Sequence, residues 1–311
     1  MEQKTIFELE AIYRDNFRVT GFQFGGNKKS VAIVGSMRGN ENQQLYACSL
    51  LIKKLKSLEE KGKISKKKGV LVIPCCNPYS MNVKKRFWTI DNTDINRMFP
   101  GYDQGETTQR IAAGVFDTVK DYDFGIQFAS FYMPGQFLPH VRIMKTGMED
   151  VERAKSFGFP YVVLHAPRPF DTATLNYNWQ IWETKAFSIY TTDTVKINKY
   201  SAREAVEGIL NFLSEEGIIQ YHKYSGYNSR VVESANMIPV RANKSGFFES
   251  MVNVGDEVYK GQLLAEIIDV YTANTIDRLV SPEDGVVSFI HDEALAYANT
   301  AVIKIIKEEP W

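Results

Sequence analysis

The chain lacks an excess of either charge: Lys and Arg total 37, Asp and Glu total 37, and the formal net charge is +0. A balanced chain has no basic field to recruit nucleic acid or an anionic membrane, so neither is expected as a partner. Long apolar runs are also missing. None approaches the roughly 20 residues needed to span a bilayer, and the opening "MEQKTIFELEA" has no basic-then-apolar leader pattern, so the sequence reads as cytoplasmic. Cysteine is scarce. Cys48, Cys75 and Cys76 form an odd set without metal-site spacing, which points to reduced thiols in the core rather than a disulfide framework.

What the sequence does have is alternation of strand and helix patterns. The run "VAIVGSMRGNEN", Val31 to Asn42, stops an apolar strand at a Gly-Ser turn and passes into a helical pattern. Arg38 and Glu41 are thereby expected at the carboxyl end of a strand, where open α/β sheets carry their sites. Gln43 to Lys61 places Leu45, Cys48, Leu51, Ile52 and Leu55 at helical spacing, and "KGKISKKKG" reads as a solvated connector. A second buried strand, "VLVIP", delivers the long polar stretch "CCNPYSMNVKKRFWTIDNTDINRMFPG", of a length that in a compact domain is usually functional.

A helix from about Glu106 to Lys120 follows, with Ile111, Val115, Phe116 and Val119 on one face, and it feeds the strand "FGIQFAS". The segments "HVRIM", "MEDVERAKSFG", "YVVLH" and "AFSIYT" continue the alternation of an α/β sheet to about Thr192. Ser201 and Glu204 have the spacing of a capping box, before a helix striped by Ala205, Val206, Ile209, Leu210 and Leu213.

From about Ser225 the helical period gives way to short strands and turns. "SGFFESMVNVGDEVYKGQLLAEIID" is loosely repeated by "EDGVVSFIHDEALAYANTAVIKII", and two such halves make a small β-barrel sandwich. The expected division is an α/β domain over 1–224 and an all-β domain over 225–311. The second resembles biotinyl and lipoyl carrier domains, whose modified lysine sits on the hairpin between the halves. Here that hairpin, "DVYTANTIDRLVSP", has no lysine, so a cap or oligomerisation module is expected instead of a swinging arm.

Taken together, "GSMRGNE", the stretch ending in "DINRMFPG", "DFGIQFAS", "LPHVRI" and the terminal β-rich segment resemble the succinylglutamate desuccinylase and aspartoacylase family, a branch of the zinc carboxypeptidase superfamily. The resemblance implies an α/β fold with a zinc-carboxypeptidase-like mixed sheet flanked by helices. It also implies a zinc ion held by the His and Glu of a Gly-x-His-Gly-x-Glu motif and by a later strand-end His. Such a site needs ligands with a lone pair and an open position for water, and in the family a further Glu takes that water's proton.

Aligned on Gly39 and Glu41, the first His position holds Arg38, whose guanidinium has only donors and cannot ligate a cation. The second His position holds Ala129, with Gln127 two residues before it, and the position of the proton-accepting Glu holds Tyr190. An ordinary phenol, with a pKa near 10, is a poor base at neutral pH. Glu41 alone is kept of the family's metal ligands, and Arg38 three residues before it is spaced for a salt bridge. No cofactor is favoured, although the family implies zinc. His140 or His165 with Glu41 is the alternative that could rebuild a metal site, while His222 and His291 fall in a connector and in the β-rich segment.

The other half of the family's pocket is matched. By the resemblance, Arg86, Asn96 and Arg97 match the residues that polarise the scissile carbonyl and clamp a substrate carboxylate, with Arg86 counted among the catalytic groups as well as the substrate-binding ones. A structural reading pairs Asp94 with Arg97, and Arg142 and Arg168 are further candidate anion contacts or ordinary surface charges. Tyr132, Tyr190 and "YNWQIW" offer aromatic pocket walls or core packing. Three functions remain open: a non-catalytic or altered relative that binds a small carboxylate, an amidohydrolase on an N-acyl amino acid with a rebuilt site, and an inactive partner of an active paralogue. A homo-oligomer is compatible with each.

Overall fold

The computed structural model describes residues 1–13, 15–222 and 226–307. Tyr224 and Ser225, where the domain boundary is expected, lie outside the described residues. The chain divides into two compact units, Met1–Ser130 with Pro139–Val231, and Phe131–Leu138 with Val232–Trp311. Among the described residues no helix is long and apolar enough to cross a membrane.

The chain opens with strands β1 (Glu2–Leu9), β2 (Phe17–Gly25) and β3 (Lys28–Ser36), then helix α1 (Asn42–Glu60), β4 (Lys68–Cys75) and a short α2 (Pro78–Asn82). Next come α3 (Thr107–Val119), β5 (Phe124–Ala129), β6 (Gln136–Phe137), β7 (His140–Met144), α4 (Val151–Lys155) and β8 (Tyr161–His165). Helix α5 (Leu175–Ile181), β9 (Lys185–Tyr190), α6 (Lys199–Glu215) and β10 (Arg230–Glu233) follow. Nine strands form one mixed sheet in the order β1-β2-β4-β3-β5-β9-β7-β8-β10. The molecule is thus an α/β protein with a large mixed sheet flanked by helices.

Strands β4, β3, β5 and β9 run parallel, so the carboxyl ends of β3, β5 and β9 lie side by side. Their apolar runs are continuous because helices cover both faces, and Val31, Ala32, Ile33 and Val34 of β3 are fully buried. One face packs α1 and α6 through residues such as Leu51, Leu55, Ile209 and Phe212, and the other packs α3 and α5 through Ile111, Val115, Leu175 and Trp179. Cys48, Cys75 and Cys76 are free and buried, and burial pushes the Cys75 thiol up to about 11.

The segment before β3 contributes β1 and β2, which pair antiparallel and extend the sheet past β4. One local expectation is corrected. Helix α6 begins at Lys199 rather than at Ser201. Its N-cap is Asn198, whose Oδ1 accepts from the backbone N–H groups of Tyr200 and Ser201, while Ser201 Oγ accepts from Thr192 N–H at 2.8 Å.

In the second unit β6 pairs with β16 (Gly285–Ile290), whose own sheet has the order β11 (Met237–Arg241), β18 (Ala301–Lys307), β16, β13 (Glu257–Val258). A four-stranded sheet holds β15 (Thr275–Val280), β14 (Leu263–Ile268), β12 (Gly246–Ser250) and β17 (Leu295–Ala296). Val240, Leu264, Ile267, Val287, Val302 and Ile303 supply its apolar core.

Candidate functional site

The loop between β3 and α1 is shaped by a close approach of backbone to backbone. A Cβ on Gly39 would lie 2.4 Å from the carbonyl oxygen of Lys85 and from the carbonyl carbon of Ser80, so only glycine fits. The Gly39 N–H donates to the carbonyl of Arg86 at 3.0 Å, which ties the Arg86 segment to the loop carrying Arg38. Ser36 Oγ donates to the Arg38 carbonyl at 2.6 Å and tightens the turn.

At the centre of the loop Arg38 is 4% exposed and lies between two carboxylates. Its Nη1 donates to Glu41 Oε1 at 2.9 Å, and its Nη2 and Nε donate to Asp94 at 2.8 and 3.1 Å. Two parallel N–H donors facing one carboxylate suit the planar fork of arginine. Glu41 collects the remaining local donors, accepting on Oε2 from the N–H of Met37 at 2.7 Å and of Arg38 at 3.0 Å, and on Oε1 from the Ser130 hydroxyl. The two carboxylates raise the Arg38 pKa above its usual value even though burial alone would lower it.

The salt bridge read from the spacing of Arg38 and Glu41 is therefore formed, and it has two companions that local spacing does not mark. Ser130, directly after Ala129, has its hydroxyl 3.3 Å from Arg38 Nη1. The pairing of Asp94 with Arg97 is corrected: Asp94 pairs with Arg38, and its Oδ1 caps the short 3-10 turn Ile95–Arg97 by accepting from the Asn96 N–H.

That turn carries the carboxylate-binding candidates. Asn96 is buried, and its Oδ1 accepts from Gln127 Nε2 at 3.4 Å and from the Leu175 N–H at 3.3 Å, which fixes the turn against β5 and α5. Arg97 is half-buried and donates Nη1 to the Asn96 carbonyl at 3.1 Å. Burial, and then the positive charge of Arg38, lower the pKa values of Arg86 and Arg97 from the usual arginine range, and each guanidinium also acts on the other or on shared neighbours. Both remain cations at neutral pH.

Ala129 and Tyr190 are register partners at the ends of β5 and β9, and Tyr190 is also paired with His140 across the antiparallel β7–β9 ladder. The imidazole of His140 stacks on the Tyr190 ring at 4.6 Å and 4°, and the Arg142 guanidinium lies 5.5 Å from the ring centroid. His165 Nε2 is 2.9 Å from Asp171 Oδ2. The Asp171 carboxyl is held below the usual range: burial would raise it, but the hydrogen bonds from His165 and the Arg168 N–H, with the charge of Arg142, outweigh that. Arg168 itself is exposed.

The aromatic candidates separate. Trp179 is fully buried and donates Nε1 to the Val119 carbonyl, so it is core; Tyr132 and Trp182 are largely exposed.

The residues present do not fit a zinc ion. Arg38 brings a cation where a ligand is expected, Ala129 has no lone pair, and both oxygens of Glu41 are already engaged by N–H and O–H donors. Among the described residues no group of three or more His, Cys, Asp or Glu side chains is placed to hold a metal.

A mixed sheet with a site at the carboxyl ends of its central parallel strands defines the class, and the sequence assigns the family. The chain matches the model of the succinylglutamate desuccinylase/aspartoacylase catalytic domain over residues 27–214, and it belongs to that family. It is 24% identical over 265 residues to the N-alpha-acetyl-L-2,4-diaminobutyric acid deacetylase of Halomonas elongata, covering 79% of this chain and 72% of that protein. Among solved structures it is similar to a succinylglutamate desuccinylase from a Silicibacter species, with a TM-score of 0.83 and 17% identity over 98% of this chain and 95% of the other. It is also similar to the product-bound ectoine utilization protein EutE of Ruegeria pomeroyi, with a TM-score of 0.80 and 18% identity over 99% and 95% of the two chains. These two likenesses describe the fold.

Proposed function

We propose that this chain is a carboxylate-binding member of its family that does not carry out zinc-dependent water activation. The observation that carries the reading is Arg38, buried between Glu41 and Asp94, at the position of a metal ligand. Activating water needs a Lewis acid or a nearby base, and both oxygens of Glu41 are already engaged by N–H and O–H donors. Tyr190 stands where the family's base is expected and serves as pocket wall.

Binding rests on Arg86, Asn96 and Arg97. With its Oδ1 committed to Gln127 and Leu175, Asn96 has its NH2 group left to donate to a ligand. Arg97 offers its fork to a carboxylate, and Arg86 adds a second positive charge. A small carboxylate such as an N-acyl amino acid suits this set.

The second reading, amide hydrolysis of an N-acyl amino acid, is favoured by those same residues and by the deacetylase named among the relatives. The all-β unit, read as a barrel sandwich of the biotinyl and lipoyl type, would then act as a cap or as a contact surface for another copy or an active paralogue.

A thermal-shift screen of N-acetyl amino acids and dicarboxylates tests the proposal. Ligands that raise Tm in the native chain should bind at least ~10-fold more weakly to Arg97→Ala, the cost of a charge-assisted hydrogen bond. If every hit stabilises Arg97→Ala as well as the native chain, the assigned binding half is wrong.

A further inference from the structure

We propose that Arg38 is the resident cation of this site: its guanidinium fills a cation position walled by Glu41 and Asp94, closed to metal ions in the native chain and open to an external cation once Arg38 is cut back. The inference rests on the reading that the site works without zinc, and adds what stands in place of the ion.

The charges require it. Glu41 and Asp94 would be two carboxylates facing one another across a buried space, an arrangement that drives protonation or cation capture. Here one planar cation contacts both: Nη1 reaches Glu41 at 2.9 Å, and Nη2 and Nε reach Asp94 at 2.8 and 3.1 Å. The guanidinium and its two partners leave the local charge at minus one, which the neighbouring Arg86 and Arg97 offset. A further oxygen reaches the position: the Ser130 hydroxyl touches both Arg38 and Glu41.

Cutting Arg38 back to alanine should leave a guanidinium-sized hole lined by two carboxylates and the Ser130 hydroxyl. Such a hole takes methylguanidinium, which restores the fork, and divalent cations, which oxygen ligands accept.

The test compares Tm for the native chain, Arg38→Ala and Arg38→Lys, each with a chelator, with zinc or with millimolar methylguanidinium. The native Tm should not respond to zinc, chelator or methylguanidinium. Arg38→Ala should lose about 5–8 °C, as expected for carboxylates left without their cation, recover at least half in methylguanidinium, and be stabilised by zinc. Arg38→Lys, which keeps the charge without the fork, should fall between the two and keeps the test open if the alanine variant does not fold. A native chain stabilised by zinc, an alanine variant indifferent to methylguanidinium, or a lysine variant as stable as the native chain would overturn the proposal. The ligand screen reads a different property, so failure of carboxylate binding leaves this result standing and the reverse also holds.

Discussion

An arginine at position 38 changes what Glu41 can do. A carboxylate that accepts two backbone N–H groups, a serine hydroxyl and a guanidinium has no lone pair left for a metal. Asp171 is likewise held by donors, from His165 and the Arg168 N–H. Its folded pKa is depressed, so the stability it contributes is present above the unfolded aspartate value of about 4 and is lost as pH falls through the lower folded value. Asp171→Asn should therefore lower stability by about 1–2 kcal/mol at pH 7 and make the acid limb below pH ~4 shallower, measured by urea unfolding across pH. An unchanged acid limb would assign the sensitivity to other carboxylates. At this scale the sequence exposed Arg38 and Glu41 through their spacing. Asp94 and Ser130 were hidden because their partner lies 56 and 92 residues away, and no local pattern marks such a pair.

Among the elements, legibility followed how much of each strand or helix is buried. Strand β3 and helix α1 announced themselves by apolar runs and helical spacing, and the structure places α1 at Asn42–Glu60. Strand β1 is mostly exposed and pairs only on one side, so its sequence carries little apolar signal; β2 does alternate, with Phe17, Val19 and Gly21 buried, and that alternation was readable. The start of α6 was misplaced because Asn198 and Ser201 are both capable caps and tertiary contact chose between them: Ser201 is drawn to Thr192. One glycine has a defined role in positioning α5. A Cβ on Gly125 of β5 would lie 2.5 Å from the Trp179 ring, which is itself fixed by its bond to Val119. Gly125→Ala should cost about 1–3 kcal/mol by overpacking, read from denaturant unfolding. A neutral result would mean that α5 is free to shift.

For the whole molecule, the sheet and its helices were predictable because buried parallel strands and amphipathic helices have distinct periods. The family is shown by the match over residues 27–214. What periodicity could not supply is the state of the site, which depends on four side chains brought together: Arg38 and Glu41 after β3, Asp94 at the start of the 3-10 turn and Ser130 just after β5. A scaffold of one family thus holds, at the carboxyl ends of its central strands, Arg38 paired with Glu41 and Asp94. The direct measurement is the zinc content of the native chain, purified without chelator, equilibrated with zinc and desalted. No stoichiometric zinc is predicted, and one zinc ion per chain that disappears in Glu41→Gln would contradict the account.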